Sequence, residues 1–321
     1  MRAGFVIRKC IGAVSTLAFV VVFNFFLFRI VNRDPVNSMF RGRNLKPEKL
    51  AELRQKFNLD GSKWDQFVAY VRQLLHGDLG YSLKGFRPVA TVIGETLWPT
   101  VLLVGSSTIL AMIGITLGYR AGWRRGSTFD TTATSMSMLT YSMPEFWIGM
   151  VFLGLFSAKL GWFPVGGLED PGSNATGLSQ WIDQLHHMML PAIVLGLAYV
   201  GEYMIVARSA MIETLNEDYL QLARAKGMRD DEVRRRHAVP NARLPVVSLS
   251  AINFGFIFGG AIAVESIFSW PGIGQATYLA VRGPDLPMLQ GLFLLISAGV
   301  ILANLVADLL YGKLDPRVAG R

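Results

Sequence analysis

Four acidic residues stand inside otherwise apolar stretches: Glu145, Glu202, Glu265 and Asp308. A carboxylate in hydrocarbon is expensive, so each should turn toward a bundle interior, a wet cavity or a partner. Asn253 sits in an apolar run in the same way. Glu145, Glu202 and Asn253 are candidates for lining a polar path, where they would suit a cationic group such as an amino terminus. Hydrogen bonds between helices account for them equally well. Glu265 lies in "VESIFSWPGIG", just before Trp270, Pro271 and Gly272. A structural or gate-holding role fits it better than contact with a solute, because acids beside helix breaks satisfy freed backbone groups.

Other chemistries find no support. Cys10 is the single cysteine, so no disulfide or cysteine metal site is expected within the chain. The histidines His76, His186, His187 and His237 form no ligand-spaced set, and no metal site is expected. There is no G-x4-G-K-[ST] phosphate loop, so the chain should not hydrolyse ATP alone and should carry no cofactor of its own.

The elements that position these residues are apolar spans. The chain has 321 residues, 51% hydrophobic, and the apolar residues cluster. Crossing a hydrocarbon core of about 30 Å takes about 18 or more apolar residues. Ile11–Phe28, Thr96–Tyr119, Leu244–Val264 and Leu286–Ala307 meet that length without a charge before Glu265 is reached. Thr131–Ala158 and Met188–Ala207 do so around Glu145 and Glu202. The expectation is an all-α polytopic membrane protein with six transmembrane helices.

A net charge of +8 suggests nucleic acid until its placement is considered. Arg2, Arg8 and Lys9 precede the first span, and Arg120, Arg124 and Arg125 follow the second. The Arg208–Arg243 connection holds eight basic residues, and Lys313, Arg317 and Arg321 lie in the tail. The alternate connections Lys159–His187 and Ser269–Pro287 hold one each. This positive-inside bias places both termini in the cytoplasm. The segment 32–95 carries eleven basic residues yet should face outward, but it is too long for the rule to bind. The first apolar run exceeds a signal-peptide core, and no small-residue cleavage site follows it, so an uncleaved first span is expected.

The organisation expected is a transmembrane helix over 1–31, an extracytoplasmic helical segment over 32–95, a five-helix core over 96–312 and a tail over 313–321. Within 32–95, "LKPEKLAELRQKFNL" and "WDQFVAYVRQLLHGDLG" each place apolar residues on one helical face. They fit a cap over the bundle or a docking surface. "GWFPVGGLEDPGSNATGLSQW" reads as loop.

The densest charge lies in "ARAKGMRDDEVRRRHAVPNARLP", Ala223–Pro245. Leu215, Tyr219, Leu222 and Lys226 are spaced for one face of a short helix, which Ala223 and Ala225 keep slim. Gly227 suits its stop. Asp230 suits a cap for a second helix, with Asp231 and Glu232 in its first turn and Arg234–Arg236 in its last. Pro240 should end that helix and Pro245 should start the next span. A solvated basic loop is the alternative.

This stretch resembles the conserved cytoplasmic loop of ABC-importer membrane subunits, E-A-A-x3-G-x9-I-x-L-P, at Gln221, Leu222, Ala223, Gly227, His237, Val239 and Pro240. The Glu, first Ala, Ile and Leu of that pattern are unmatched. The fuller string "NEDYLQLARAKGMRDDEVRRRHAVPNARLPVVS" is similar to the dipeptide/oligopeptide/nickel permease branch. "VESIFSWPGIG", "GDLGYS", "DPV" after the first span and "LDPRV" at the tail resemble further signatures of that branch. Glu145 in "MPEFWIG" departs from it, as a small or polar neutral residue is expected there, and "NLDGSKW" lacks the proline usual after the Leu-Asp.

The resemblance implies a type I ABC importer permease fold in a bacterial or archaeal inner membrane. It implies a second homologous permease, two ATPase subunits that bind ATP and Mg, and an extracytoplasmic binding protein that delivers di- or oligopeptides. Tyr219, Gln221, Leu222, Ala223, Arg224, Ala225, Lys226 and Gly227 would then form the ATPase-coupling helix. Nickel complexes or oligosaccharides are alternative cargos. A stand-alone proton-coupled carrier is a further alternative, although no internal repeat supports it.

Overall fold

The computed structural model describes residues 3–31, 62–173, 176–256, 259 and 261–314. The chain is all-α, and the described residues hold no strand beyond a single bridge between Tyr81 and Pro88. Two compact units form: residues 1–97 with 276–321, and residues 98–275.

The first unit is built on α1 (Ala3–Val31) and α12 (Leu286–Leu314), which pack along each other. Asp308 on α12 meets Lys9 on α1 at 2.8 Å, so this acid has its counter-ion within the unit. Asn24, fully buried on α1, donates to the Gln290 carbonyl at 3.1 Å. Of the two helices expected before residue 95, the second is α2 (Lys63–Leu75), started by a Ser62–Asp65 capping box and followed by left-handed Gly77. Its Phe67 and Tyr70 rings pack on Phe25. The first expected helix lies outside the described residues.

The "GDLGYS" turn is tied to the start of α12. Asp285 accepts from the Ser82 hydroxyl at 2.5 Å and the Leu83 N–H at 3.0 Å, and through its other oxygen from Met288 N–H. One carboxylate thus satisfies both a turn and a helix N-terminus, which explains its burial.

The second unit is arranged around α6 (Leu178–Leu215), whose 38 residues make it the longest described helix. It packs against α4 (Thr128–Ser142), α5 (Glu145–Phe152) and α9 (Val239–Phe256). It also meets α3 (Val89–Trp123) through a ladder of buried glycines spaced by four, Gly114, Gly118 and Gly122. A Cβ on Gly118 would lie 2.7 Å from Ala207 Cβ and 3.0 Å from the Arg208 nitrogen; one on Gly122 would lie 2.8 Å from the Arg208 carbonyl. Small residues let helix backbones approach where no hydrophobic effect draws them together.

Two expected spans take a different form. The run around Glu145 is not one straight helix: α4 ends at Ser142, and α5 with its π-helical extension Leu153–Lys159 leaves at 94°. Pro144 is the cause, since Met143 before it is extended (φ −78°, ψ 134°) as a pre-proline residue prefers. The run Leu244–Val264 is also divided, into α9 and α10 (Ile262–Ile267). Helices α1, α3, α6 and α12 are each long and apolar enough to cross a membrane, and the bent pair adds a fifth candidate.

The prolines after the charged stretch do not punctuate as expected. Beyond α8 (Asp230–Val233) the chain winds through a π-helical turn, Arg234–Ala238, directly into α9. The wide turn, in which Val239 N–H reaches back to the Arg234 carbonyl, leads the helix past Pro240. Pro245 lies inside α9 rather than at its start. Asp230 is the first helical residue, not the cap; Arg229 occupies that place without a side-chain bond.

The glycine ladder yields a direct expectation. Gly118→Leu should separate α3 from α6 and lower unfolding free energy in mixed micelles by about 3 kcal/mol, at the upper end of overpacking costs. Gly105→Leu, where a Cβ meets nothing within 4 Å, is the matched control and should cost far less.

Candidate functional site

The charged insert folds as helix, glycine, helix. Helix α7 (Asp218–Ala225) starts afresh after α6, because Asn216 closes α6 and Glu217 is extended (φ −81°, ψ 133°). That break resets the helical phase. The expected stripe through Leu215, Tyr219, Leu222 and Lys226 therefore does not share one buried face. Leu220 and Ala223 are the buried residues instead. They pack with Ala210 and Met211 of α6, Val233 of α8, and Ala238 and Ala242, with Tyr119 and Trp123 of α3 alongside. The Arg224 guanidinium lies 5.7 Å from the Trp123 ring centre.

The other face of α7 is open. Tyr219, Gln221, Leu222, Arg224, Ala225, Lys226 and Gly227 are all exposed, with Tyr219 at 37% and Leu222 at 57%. Ala223, by contrast, is spent on the unit's own core and is not available to a partner. Partial burial, and then the Glu217 charge, push the Tyr219 phenol up, so it stays neutral and can donate. Gly227 has φ +82° and nothing within 4 Å of a built Cβ. Its glycine is needed for backbone conformation and not for space. Past it, Arg235 and Arg236 pair with Asp231 and Glu232 one turn earlier, each at 3.0 Å.

Beneath this surface α4 is pinned to α6. Arg208 donates to both oxygens of Asp130, at 2.5 and 2.9 Å, and Gly126 N–H donates to the same carboxylate at 3.0 Å. Asp130 is 3% exposed. A bidentate pair fixes angle as well as distance.

Farther along α6, the three path candidates come together. Asn253 Nδ2 donates to Glu202 at 3.2 Å, and the helix that Glu145 begins packs against α6. Glu145 is the first residue of α5, after the Pro144 bend. All three are half-buried. Tyr203, one turn beyond Tyr199, is buried with a hydroxyl that has no hydrogen-bond partner among the described residues.

Glu265, Trp270, Pro271 and Gly272 form a separate, dry knot. Glu265 and Trp270 have zero exposure. Glu265 accepts from Thr100 Oγ1 at 2.9 Å, from Gln275 N–H at 2.9 Å and from Ala261 N–H at 3.3 Å. Thr100 in turn accepts from Ile273 N–H at 2.8 Å, at the start of α11 (Ile273–Arg282). Trp270 Nε1 donates to the Pro99 carbonyl at 2.9 Å. A Cβ on Gly272 would collide with Glu265 and Thr100. The carboxylate therefore binds the two ends of a helix break to α3.

His187 lies within 4.8 Å of Asp170 and Asp183, a grouping that histidine spacing alone did not suggest. Asp183 also accepts from Asp170 N–H at 3.0 Å and its carbonyl meets His187 Nδ1 at 3.0 Å, so these contacts hold the loop onto α6. Asp130, Thr100 and Asp285 were equally missed. Each partners a residue far away in sequence, and no local spacing signals that.

For the knot, Glu265→Ala should leave buried N–H donors unpaired and lower unfolding free energy by about 3 kcal/mol. Glu265→Gln, which keeps one acceptor oxygen, should lose less. Denaturation of the two variants in mixed micelles checks the order.

With this geometry in place, comparison with known proteins is informative. Residues 114–320 match the family described as binding-protein-dependent transport system inner membrane component, and residues 2–101 match its N-terminal companion. The dipeptide transport system permease protein DppB of Escherichia coli K12 is 36% identical over 332 residues, covering 98% of each chain. The di/tripeptide transport system permease protein DppB of Pseudomonas aeruginosa is 36% identical over 330 residues, again covering 98% of each. The glutathione transport system permease protein GsiC of Salmonella choleraesuis is 33% identical over 315 residues, covering 98% of each. Among solved structures, a chain of the inward-facing MetNI methionine ABC transporter superposes with a TM-score of 0.53 at 14% identity, covering 70% of this chain and 96% of that one. That likeness speaks to the fold, the type I importer permease arrangement. The family match across the α3–α12 core and the near full-length identity to peptide permeases agree: the chain belongs to the binding-protein-dependent transport system inner membrane component family.

Proposed function

We propose that this chain is the membrane-spanning permease subunit of an ATP-driven importer of di- or oligopeptides. The observation that carries the reading is 36% identity to a dipeptide permease along 98% of both chains. In this reading both termini and the α7–α8 surface face the cytoplasm. Two ATPase subunits bind ATP and Mg, and one of them seats against the exposed residues Tyr219, Gln221, Leu222, Arg224, Ala225, Lys226 and Gly227. A second homologous permease completes the path, and an extracytoplasmic binding protein delivers the peptide.

The packing supports a means of transmission. Leu220 and Ala223 are locked against Ala210 and Met211, so a push on α7 is a push on α6. Helix α6 carries Glu202 toward Glu145 and Asn253. That acidic, half-buried group suits the ammonium end of a peptide. Glu265 with Trp270, Pro271 and Gly272 holds the broken helices that border the path, as a structural or gate-holding element. A ligand shifts such a two-state bundle only by its differential binding to the two states.

The acidic group also suits a proton relay, the basis of a stand-alone carrier. Gly227 separates the two readings. Its left-handed backbone costs a side chain about 1–2 kcal/mol, except for asparagine, which visits it readily. Gly227→Leu should insert in the membrane but lose ATP-driven peptide uptake through uncoupling or failed assembly, whereas Gly227→Asn should retain it. Normal uptake by the leucine variant, or uptake by this chain alone in proteoliposomes without ATP, would overturn the proposal.

A further inference from the structure

The second unit holds a cavity of about 510 Å³ between the end of α3 and the α8 turn. Its charged lining is Arg120 at the end of α3, Arg124 in the turn just after it, and Asp231, Arg234 and Arg235 from the charged insert; Tyr119 lies beside them. Four arginines thus face one aspartate. Arg234 and Arg235 both pair with Asp231, so they share a single negative charge. Arg120 rests on the Phe129 ring at 5.7 Å, and neither it nor Arg124 meets a carboxylate among the described residues. The pocket therefore carries an excess of three positive charges in a concave site.

The wall is as informative as the charge. Arg120 follows Thr116 by four residues on α3, and Arg124, in the turn just after α3 ends, donates its N–H to the Arg120 carbonyl at 3.1 Å. Val239 lines the opposite side, where the π turn passes into α9. The cavity thus sets Thr116, Tyr119 and Val239 beside the four arginines. It is too small for a helix about 10–12 Å across. It has room for a phosphate with its glycerol.

We propose that this cavity binds the phosphodiester headgroup of an anionic phospholipid, with Arg120 and Arg124 as the principal ligands. Basic pockets beside spans on the cytoplasmic side are suited to such headgroups. The inference rests on the cytoplasmic orientation proposed above, since the anionic lipid must reach this end of α3. A bound headgroup would tie α3 to the α8 turn, next to the surface assigned to the ATPase. Arginine suits the role because its planar fork matches two phosphate oxygens at once.

The test uses the full-length chain purified with its partner subunits, and native mass spectrometry as the readout. Phosphatidylglycerol, phosphatidylcholine and inorganic phosphate are the probes. The wild type should bind phosphatidylglycerol in preference to phosphatidylcholine, and inorganic phosphate should not displace it. The double variant Arg120→Gln/Arg124→Gln should weaken that binding about thirtyfold, from about fivefold per arginine near an anionic surface. Arg120→Lys/Arg124→Lys keeps the charge but not the fork and should bind between the wild type and the glutamine variant, which separates lost affinity from misfolding. Equal phosphatidylglycerol binding by the wild type and the glutamine variant would overturn the site. Displacement by inorganic phosphate would overturn the lipid assignment in favour of a free anion. Lipid binding that appears only when the ATPase subunits are stripped away would assign the pocket to protein contact instead. None of these readouts requires transport, so a failed lipid site and a failed peptide-importer reading are distinguishable.

Discussion

The close approach of α3 to α6 through Gly114, Gly118 and Gly122 is the interaction on which the second unit depends. Water expels apolar side chains from solution into a soluble core, but lipid offers no such drive between helices. Contact must come from shape and from polar pairs. The glycine ladder supplies shape, bringing backbone against backbone. The Arg208–Asp130 pair then fixes α4 to the same rod, and Asn253 to Glu202 links α9 to it. Helix α6 becomes the member through which separate pieces are registered.

That arrangement explains why the charged insert can be both exposed and firmly held. Its first helix has an inner edge, Leu220 and Ala223, and an outer face of polar and larger residues. The inner edge sits on the end of α6 and beside Trp123 of α3. A surface that is free on one side and welded on the other suits the transfer of force. The Glu265 knot serves the opposite need. There a broken helix lies among buried residues, and its loose N–H groups are collected by one carboxylate and one threonine. Unpaired donors in a dry place would cost several kcal/mol, in the range of about 1–3 each.

Much of this was legible in the residues. Span length and hydropathy revealed α1, α3, α6 and α12, and Gly227 was recognisable as the break within the charged insert. The departures have local causes. Pro144 bends a run whose composition alone reads as continuous, and the π turn before Pro240 lets a helix pass a residue that ordinarily stops it. The phase of α7 was misread because Glu217 interrupts the helix without any glycine or proline to announce it. The glycine ladder was present as an i, i+4 pattern, but its partner on α6 was not deducible. Asp130 with Arg208, Thr100 with Glu265, and Ser82 with Asp285 are pairs from distant elements. Their meaning exists only after folding.

The central claim is that the open face of α7 is where ATP-derived motion enters. Cross-linking from Leu222 tests it most directly. In a Cys10→Ser background, Leu222→Cys should join an ATPase subunit through a short bifunctional reagent, and the joined complex should lose uptake. A cysteine placed at Ala223, on the buried edge, should not react. A Leu222 cysteine that forms no such link in an assembled, ATP-hydrolysing complex, or that links with uptake intact, would contradict the account.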